Sequence, residues 1–252
     1  MKNGDRHVGR VLTRRESLTL LSGAAAGTTL LAASGHLGSS TGKVQTATGA
    51  TLPSCVVRPE QTQGPYFVDE KLHRSDIRSD PTDGSIKQGV PLRLLFRVTA
   101  LTGNACRPLP GATVDVWHCD ALGVYSDTRD PIFGDTRGRK FLRGYQWTSD
   151  DGTAEFLTIY PGWYQGRTVH VHFKIRTGSA STAHHEFTSQ LYFEDTLTDC
   201  VHTQPPYARK GQRTLRNAGD GIFRSGGANL LLKVAKQGEG YAAAFDVALQ
   251  MA

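Results

Sequence analysis

Residues 168–173 read Thr-Val-His-Val-His-Phe. Successive side chains of a β-strand point to opposite faces, so His170 and His172 would share one face and Val171 and Phe173 the other. The apolar face is suited to a protein core, and two imidazoles two residues apart can bind one metal ion. An isolated His-x-His pattern also occurs on strands whose outward face is merely polar. The metal hypothesis therefore depends on what surrounds this strand.

Short segments of alternating or β-branched residues recur along the chain, separated by turn-forming residues, and no long segment shows a helical apolar stripe. This pattern predicts an all-β sandwich or barrel with little helix. Long loops over 121–145 and 194–222 are candidates to carry function. The predicted strands are Leu92–Thr99, Thr113–Trp117, Ala154–Ile159, Thr168–Ile175, Thr188–Phe193, Leu230–Val234 and Phe245–Leu249.

The N-terminal segment is typical of an export signal. The stretch TRRESL at 13–18 precedes apolar and small residues, which matches a twin-arginine signal peptide over residues 1–34. Glycine, serine and threonine interrupt the apolar stretch, so we expect no stable membrane anchor. Residues 35–52 are rich in glycine, serine and threonine, which predicts a flexible linker. The length of residues 53–252 predicts one folded domain. We therefore expect a mature protein in the periplasm or the extracellular medium.

The charge balance gives little reason to expect nucleic acid as a partner. The chain has 252 residues and a formal net charge of +6 at pH 7. Five basic and two acidic side chains within residues 1–34 account for half of that excess, and no basic run follows them. A small-molecule substrate is the expected partner.

All four cysteines lie beyond the predicted signal: Cys55, Cys106, Cys119 and Cys200. In an oxidising compartment we expect two disulfides, in any of three pairings. Their spacing is not that of a zinc site.

Two tyrosines extend the histidine pattern into a candidate metal site. Tyr164 lies six residues before His170, and the turn at Pro161-Gly162 can fold it back over the strand. Tyr125 follows the strand predicted at 113–117. The pKa of a free tyrosine is about 10, so coordination must remove its proton.

Four stretches together resemble the intradiol ring-cleavage dioxygenases, the family of catechol and protocatechuate dioxygenases. They are QTQGPYF at 61–67, PLPGATVDVWHCDALGVYSD at 108–127, FLRGYQWTSDDG at 141–152 and TIYPGWYQGRTVHVHFK at 158–174. The resemblance implies a β-sandwich of that family and a non-haem iron(III) enzyme. Such an enzyme uses dioxygen to cleave a catechol-type ring between its hydroxyl groups, giving cis,cis-muconate-type products. The catecholic substrate itself is left open.

Carried over by position, the resemblance implies that Tyr125, Tyr164, His170 and His172 hold the iron. Two phenolates are hard, anionic donors, so this ligand set favours iron(III) over iron(II). The resemblance also implies that Tyr164 leaves the metal when the substrate binds and helps to remove a substrate proton. All four residue types are present at the matching positions.

The resemblance assigns four further residues to the site. Arg167 matches an arginine that stabilises negative charge on the substrate, and Gln190 matches the family's polar glutamine. The QTQGPYF stretch is similar to a segment that lines the substrate cavity, which makes Pro65 and Tyr66 candidate ring contacts. Without the surrounding motifs, residues of these types are usually solvated or part of ordinary turns.

Two other interpretations compete with the iron enzyme. One is a copper–zinc superoxide dismutase-like site with further ligands from His118, His184, His185 and His202, which leaves both tyrosines without a role. The other is an exported β-sandwich that binds ligands or proteins without dioxygenase activity, because fold alone does not determine function. No long helical N-terminal region like that of the dimeric catechol enzymes is present, and the oligomeric state is left open.

Overall fold

Two β-sheets face each other across an apolar core in the computed structural model, which describes residues 55–131, 134–178 and 185–251. The predicted signal peptide, the linker, the domain boundary near Pro53 and His184 lie outside these residues. The strands are β1 (Pro91–Thr102), β2 (Ala105–Pro108), β3 (Thr113–Trp117), β4 (Arg129–Asp130), β5 (Gly134–Asp135), β6 (Arg143–Trp147), β7 (Thr153–Ile159), β8 (His170–Arg176), β9 (Glu186–Tyr192), β10 (Val234–Gln237) and β11 (Gly240–Gln250).

Helix is scarce in the described residues. The α-helices are α1 (Asp195–His202) and α2 (Gly221–Arg224), and single 3₁₀ turns cover Tyr207–Lys210, Asn217–Gly219 and Gly227–Leu230. None of these helices has the length and apolarity needed to cross a lipid bilayer. The expectation of an all-β protein with little helix is confirmed.

Strand β1 organises the first sheet because it has 12 residues, enough to pair with several partners. On one side it pairs with β11 in parallel, from Leu92 opposite Tyr241 to Leu101 opposite Gln250. On the other side its first part pairs with β7 and its last part with β2, both antiparallel. The second sheet is antiparallel, in the order β6-β3-β8-β9.

The two sheets meet through aromatic side chains. Phe96 of β1 contacts Phe173 of β8 with ring centroids 5.3 Å apart, and Phe173 contacts Phe245 of β11 at 5.4 Å. Phe96 and Phe173 are fully buried, and burying a side chain of this size contributes about 1.5–3 kcal/mol to folding. The apolar face of β8 is therefore part of the main core.

Most predicted strands are present, but the prediction for Leu230–Val234 is wrong. Leu230 ends a 3₁₀ turn, and β10 begins only at Val234. Between them Leu231 makes a single bridge with Tyr192, whose carbonyl accepts a hydrogen bond from the Leu232 amide. This apolar run fills the core without continuous strand pairing. The two longest predicted loops also contain structure, the β4–β5 hairpin and α1.

The expectation of two disulfides is wrong for the described residues. Cys55 is bonded to Cys106, whereas Cys119 and Cys200 are free. Cys119 is buried, with its Sγ 3.5 Å from the Gly162 carbonyl, and Cys200 is exposed on α1. One free thiol is buried and the other lies at the surface, and the disulfide present joins the start of the domain to β2.

The bond between Cys55 and Cys106 closes a loop with a sequence separation of 51 residues. A cross-link of this span restricts the unfolded chain by about 4 kcal/mol on the chain-entropy model. We predict that Cys55→Ser lowers the free energy of unfolding by about 2–4 kcal/mol in urea denaturation. Cys200→Ser is the matched control and should change it by less than about 0.5 kcal/mol. Equal losses for the two variants would contradict a structural disulfide.

Candidate metal centre

Strand β8 places two histidines beside each other at its beginning. His170 and His172 lie on one face, and Val171 and Phe173 lie on the core face. Both imidazoles are buried, with 2% and 1% of their residue surface exposed. Because β8 lies between β3 and β9, both of its edges are paired as well.

Two loops bring phenols to the same place. Tyr164 lies on the connection from β7 to β8, and its Oη is 3.2 Å from Nε2 of His170. Tyr125 lies on the loop after β3, and its Oη is 3.5 Å from the same nitrogen. Nε2 of His172 is 3.0 Å from it. The structure therefore gathers the polar atoms of all four predicted ligands around one point.

These separations can be compared with those of atoms that share a metal ion. Nitrogen and oxygen ligands about 2.0–2.2 Å from one ion lie about 3 Å from one another. The three measured separations are 3.0–3.5 Å. The four residues therefore fit a single metal ion.

The orientation of each imidazole has its own cause. Nδ1 of His170 lies 2.6 Å from the Thr168 carbonyl, which requires it to donate and leaves a lone pair on Nε2. The His172 ring stacks on Trp117 with centroids 5.0 Å apart and planes 5° apart. Gly64 also lies close to this ring. Both Nε2 atoms are thus held toward the tyrosines.

Burial keeps all four groups uncharged in the metal-free protein. It lowers the pKa of His170 to about 3, with the Arg167 charge as the second cause, and it lowers that of His172 below the usual range. It also raises the pKa of Tyr125 and Tyr164 above that of a free tyrosine. A cation bound here would displace the phenol protons, so its affinity should increase with pH.

Arg167 lies at the edge of this cluster. Its Nη1 is 3.5 Å from Nε2 of His170, and its Nη2 donates to Oε1 of Gln190 at 2.6 Å. Gln190 is fully buried on β9, and its Nε2 donates to the Thr62 carbonyl at 2.9 Å. The third donor of Arg167, Nε, binds Asp220 at 2.8 Å. Arg167 and Gln190 are therefore brought together, as two members of one hydrogen-bonded group.

The QTQGPYF stretch contributes to the site through Tyr66 and Gly64. The Tyr66 ring stacks on that of Tyr125, with centroids 4.4 Å apart, and its hydroxyl donates to Asp130 at 2.7 Å. Pro65 is exposed. Of the two predicted ring contacts, the structure places Tyr66 against a candidate ligand and Pro65 at the surface.

Two histidines of the superoxide dismutase interpretation, His118 and His202, have other partners. Nε2 of His118 lies 2.6 Å from Thr158 Oγ1, and its Nδ1 lies 2.8 Å from the Cys119 carbonyl. Nε2 of His202 lies 3.0 Å from the Pro161 carbonyl. Within the part of the chain that the structure describes, no three His, Cys, Asp or Glu side chains are placed to hold a metal together. The candidate centre depends on its tyrosines.

Most of the described domain matches a known protein family. The family model described as Dioxygenase matches residues 62–209, more than half of the chain. The chain belongs to the intradiol dioxygenase family. The matched residues include both tyrosines, both histidines, Arg167 and Gln190.

Sequence similarity to a curated relative is modest. The chlorocatechol 1,2-dioxygenase of Cupriavidus pinatubonensis is 29% identical over 158 residues, which cover 54% of this chain and 56% of the relative. The chain thus spans little more than half the length of the curated relatives it matches.

Two solved structures are similar to this chain over a larger part of its length. An intradiol ring-cleavage dioxygenase from Tetranychus urticae has a TM-score of 0.66 and 29% identity, covering 78% of this chain and 95% of that one. The dioxygenase domain of a dioxygenase carbohydrate-binding protein fusion from Streptomyces sp. SirexAA-E has a TM-score of 0.54 and 29% identity, covering 78% of this chain and all of that one. The predicted sandwich of the intradiol dioxygenase type is confirmed.

Three residues of the site were not predicted from the sequence: Gly64, Trp117 and Asp220. Gly64 has a φ of +69°, and a Cβ placed there would lie 3.3 Å from Cε1 of His172. Its position before Pro65 is a turn signal that could have identified it. Trp117 ends β3 opposite His172, a pairing that only the strand register shows.

We predict that Gly64→Ala destabilises the metal-free protein more than Gly84→Ala does. Gly84 has a similar φ of +72°, but a methyl group added there would have nothing within 4 Å. Gly84→Ala should therefore lose only the free energy of placing a non-glycine residue in the left-handed region, about 1–2 kcal/mol. Alanine at position 64 must also displace the His172 ring, which should add about 1 kcal/mol. Urea denaturation of both variants measures the difference, and equal losses would contradict a tight contact at His172.

Proposed function

We propose that this chain is an exported iron(III) enzyme that uses dioxygen to cleave catechol-type aromatics between the two hydroxyl-bearing carbons, giving cis,cis-muconate-type products. The observation that carries the proposal is the convergence of Tyr125, Tyr164 and His172 within 3.5 Å of Nε2 of His170. Membership of the intradiol dioxygenase family supports the reaction class. A relative named for chlorocatechol supports a catecholic substrate.

The donor set supports iron(III) as the metal. The two phenolates are hard, anionic ligands that stabilise the ferric state, and the two imidazoles complete the set as neutral donors. When bound, iron(III) supplies an electron acceptor that withdraws charge from a chelated catecholate and activates its ring toward dioxygen.

The two tyrosines differ in a way that suits different roles. Tyr125 is fully buried and covered by the Tyr66 ring, whereas Tyr164 retains 9% of its surface exposed. Departure of one ligand would make room for a substrate that binds through both oxygens, and the more accessible phenol would leave more easily. We therefore propose that Tyr164 is the ligand that leaves the metal and accepts a proton from the substrate. Tyr125 would stay bound to the metal throughout.

Arg167 supplies the positive charge of the site. Its guanidinium is protonated at all relevant pH values and lies beside the ligand cluster, where it can stabilise negative charge that develops on the substrate. Both polar atoms of Gln190 are engaged, Oε1 with Arg167 and Nε2 with Thr62. We infer that Gln190 acts by holding Arg167 in place.

Tyr66 is the proposed wall of the substrate pocket. Its half-buried ring lies edge-on to Tyr164 with centroids 6.3 Å apart, next to the space that opens when Tyr164 moves. An aromatic ring at this position can pack against a catechol ring.

Export by the twin-arginine route completes the proposal. The disulfide between Cys55 and Cys106 supports an oxidising destination, because such bonds persist mainly outside the cytoplasm. A route that carries folded proteins would also let the metal bind before export.

The proposal is tested first by the colour and chemistry of the protein without its predicted signal peptide. We expect iron bound in stoichiometric amount, a broad visible band from tyrosinate on iron(III), and muconate formation in the ultraviolet when catechol is added under air. A colourless protein that takes up no iron and forms no product would contradict the proposal and favour a binding module. A blue-green copper protein would favour the superoxide dismutase interpretation.

Variants should separate metal binding from turnover. We predict that Tyr125→Phe loses most of the iron, because it removes a fully buried anionic ligand, whereas Tyr145→Phe on β6, outside the site, retains it. Arg167→Ala should retain iron but lower kcat by about 10²–10³, the usual cost of removing one preorganised charge donor. Iron analysis and steady-state kinetics measure both effects. Unchanged kcat in Arg167→Ala at full iron occupancy would remove Arg167 from the mechanism.

A further inference from the structure

Asp220 is a buried carboxylate that the reaction above does not use. Only 1% of its surface is exposed. Its Oδ1 accepts hydrogen bonds from the amides of Ile222 at 2.7 Å and Phe223 at 3.1 Å, which caps α2. Its Oδ2 accepts from Arg167 Nε and from the Thr168 amide, both at 2.8 Å. One oxygen thus completes a helix, and the other binds the chain that leads into β8.

The contact with Asp220 fixes the orientation of the Arg167 guanidinium. Nε is bound by Asp220 and Nη2 by Gln190, so two edges of the planar group are held from different directions. The remaining nitrogen, Nη1, is the one that lies 3.5 Å from Nε2 of His170. A group held at two points cannot rotate about either one, and Nη1 is therefore directed at the ligand cluster.

Asp220 is the stronger of these two tethers. Gln190 is neutral, and its Oε1 is shared with the hydroxyl of Tyr192 at 3.0 Å. Asp220 forms a partly buried ion pair with Arg167, which adds an attraction between opposite charges that a neutral amide does not provide. Loss of Asp220 would remove the carboxylate partner of Arg167.

We propose that Asp220 is the positioning residue for Arg167: it sets the direction of the guanidinium and acts on the reaction only through it. The proposal rests on the function proposed above. It connects the segment around α2 to the metal centre, although Asp220 lies 53 residues beyond Arg167 in the chain.

A purely structural role for Asp220 is the competing explanation, and Asn217 provides the control. Asn217 ties the same segment to the sandwich, since its Oδ1 accepts from Thr168 Oγ1 at 2.7 Å and its Nδ2 donates to the Phe193 carbonyl at 2.8 Å. None of these contacts involves Arg167. Asn217→Ala therefore loosens the segment while leaving both tethers of Arg167 in place.

The experiment is a double-mutant cycle with Asp220→Asn, Arg167→Ala and the combined variant. Asparagine keeps the size of the side chain and an oxygen for the helix cap. We expect Asp220→Asn to retain iron and to lower kcat by about tenfold to a hundredfold, the range expected when a catalytic group is misplaced by up to 1 Å. In the Arg167→Ala background the same change should alter kcat by less than about twofold. Asn217→Ala should lower the thermal midpoint but change kcat by less than about twofold.

Thermal unfolding of the metal-free variants gives a readout that does not depend on turnover. Asp220→Asn should lower the midpoint of the wild-type protein by more than it lowers that of Arg167→Ala, where the buried carboxylate has already lost its cation and only the contact with the Thr168 amide remains to be lost. An equal fall of kcat in both backgrounds, or an equal fall in Asn217→Ala, would overturn the proposal. Absence of muconate from the wild-type protein would instead contradict the proposed function. The thermal cycle alone would then decide whether Asp220 holds Arg167.

Discussion

Strand β8 is buried on both faces, and the rest of the structure follows from what that burial requires. One face is apolar and packs against the opposite sheet through Phe173. The other carries His170 and His172, and buried imidazoles are unfavourable unless their nitrogens have partners. Thr168 provides one partner through its carbonyl. The two Nε2 atoms lie 3.0 Å apart, and the loops around β8 bring two phenols and a guanidinium to within 3.5 Å of Nε2 of His170.

Much of this arrangement could be predicted because its signals are local. Strand alternation located β8, and β3 was predicted with its observed bounds, Thr113–Trp117. The tyrosines follow turns and strand ends that the sequence marks clearly. Leu230–Val234 shows the limit of such patterns: a short apolar run has the same appearance whether it pairs as a strand or fills the core from a 3₁₀ turn.

The parts that escaped prediction depend on contacts between distant segments. Asp220 is an isolated acidic residue in the sequence, and only the folded chain places it against Arg167. Trp117 acquires its role from strand register, because β3 and β8 align it with His172. The second expected disulfide failed for the same reason, since cysteine spacing contains no information on which thiols the fold separates.

The connection between β7 and β8 carries two side chains to which the proposed reaction assigns opposite mechanical requirements. Tyr164 has to leave the metal in the proposed reaction, whereas Arg167, three residues later, has to keep its direction. The structure reconciles these requirements because Arg167 is tethered outside its own loop, to Gln190 on β9 and to Asp220 at α2. Asp220 also binds the Thr168 amide, so the chain is held from Arg167 onward and the histidines stay in place. Tyr164 lies before this anchored point, and its ring can move without displacing the charge that the reaction needs.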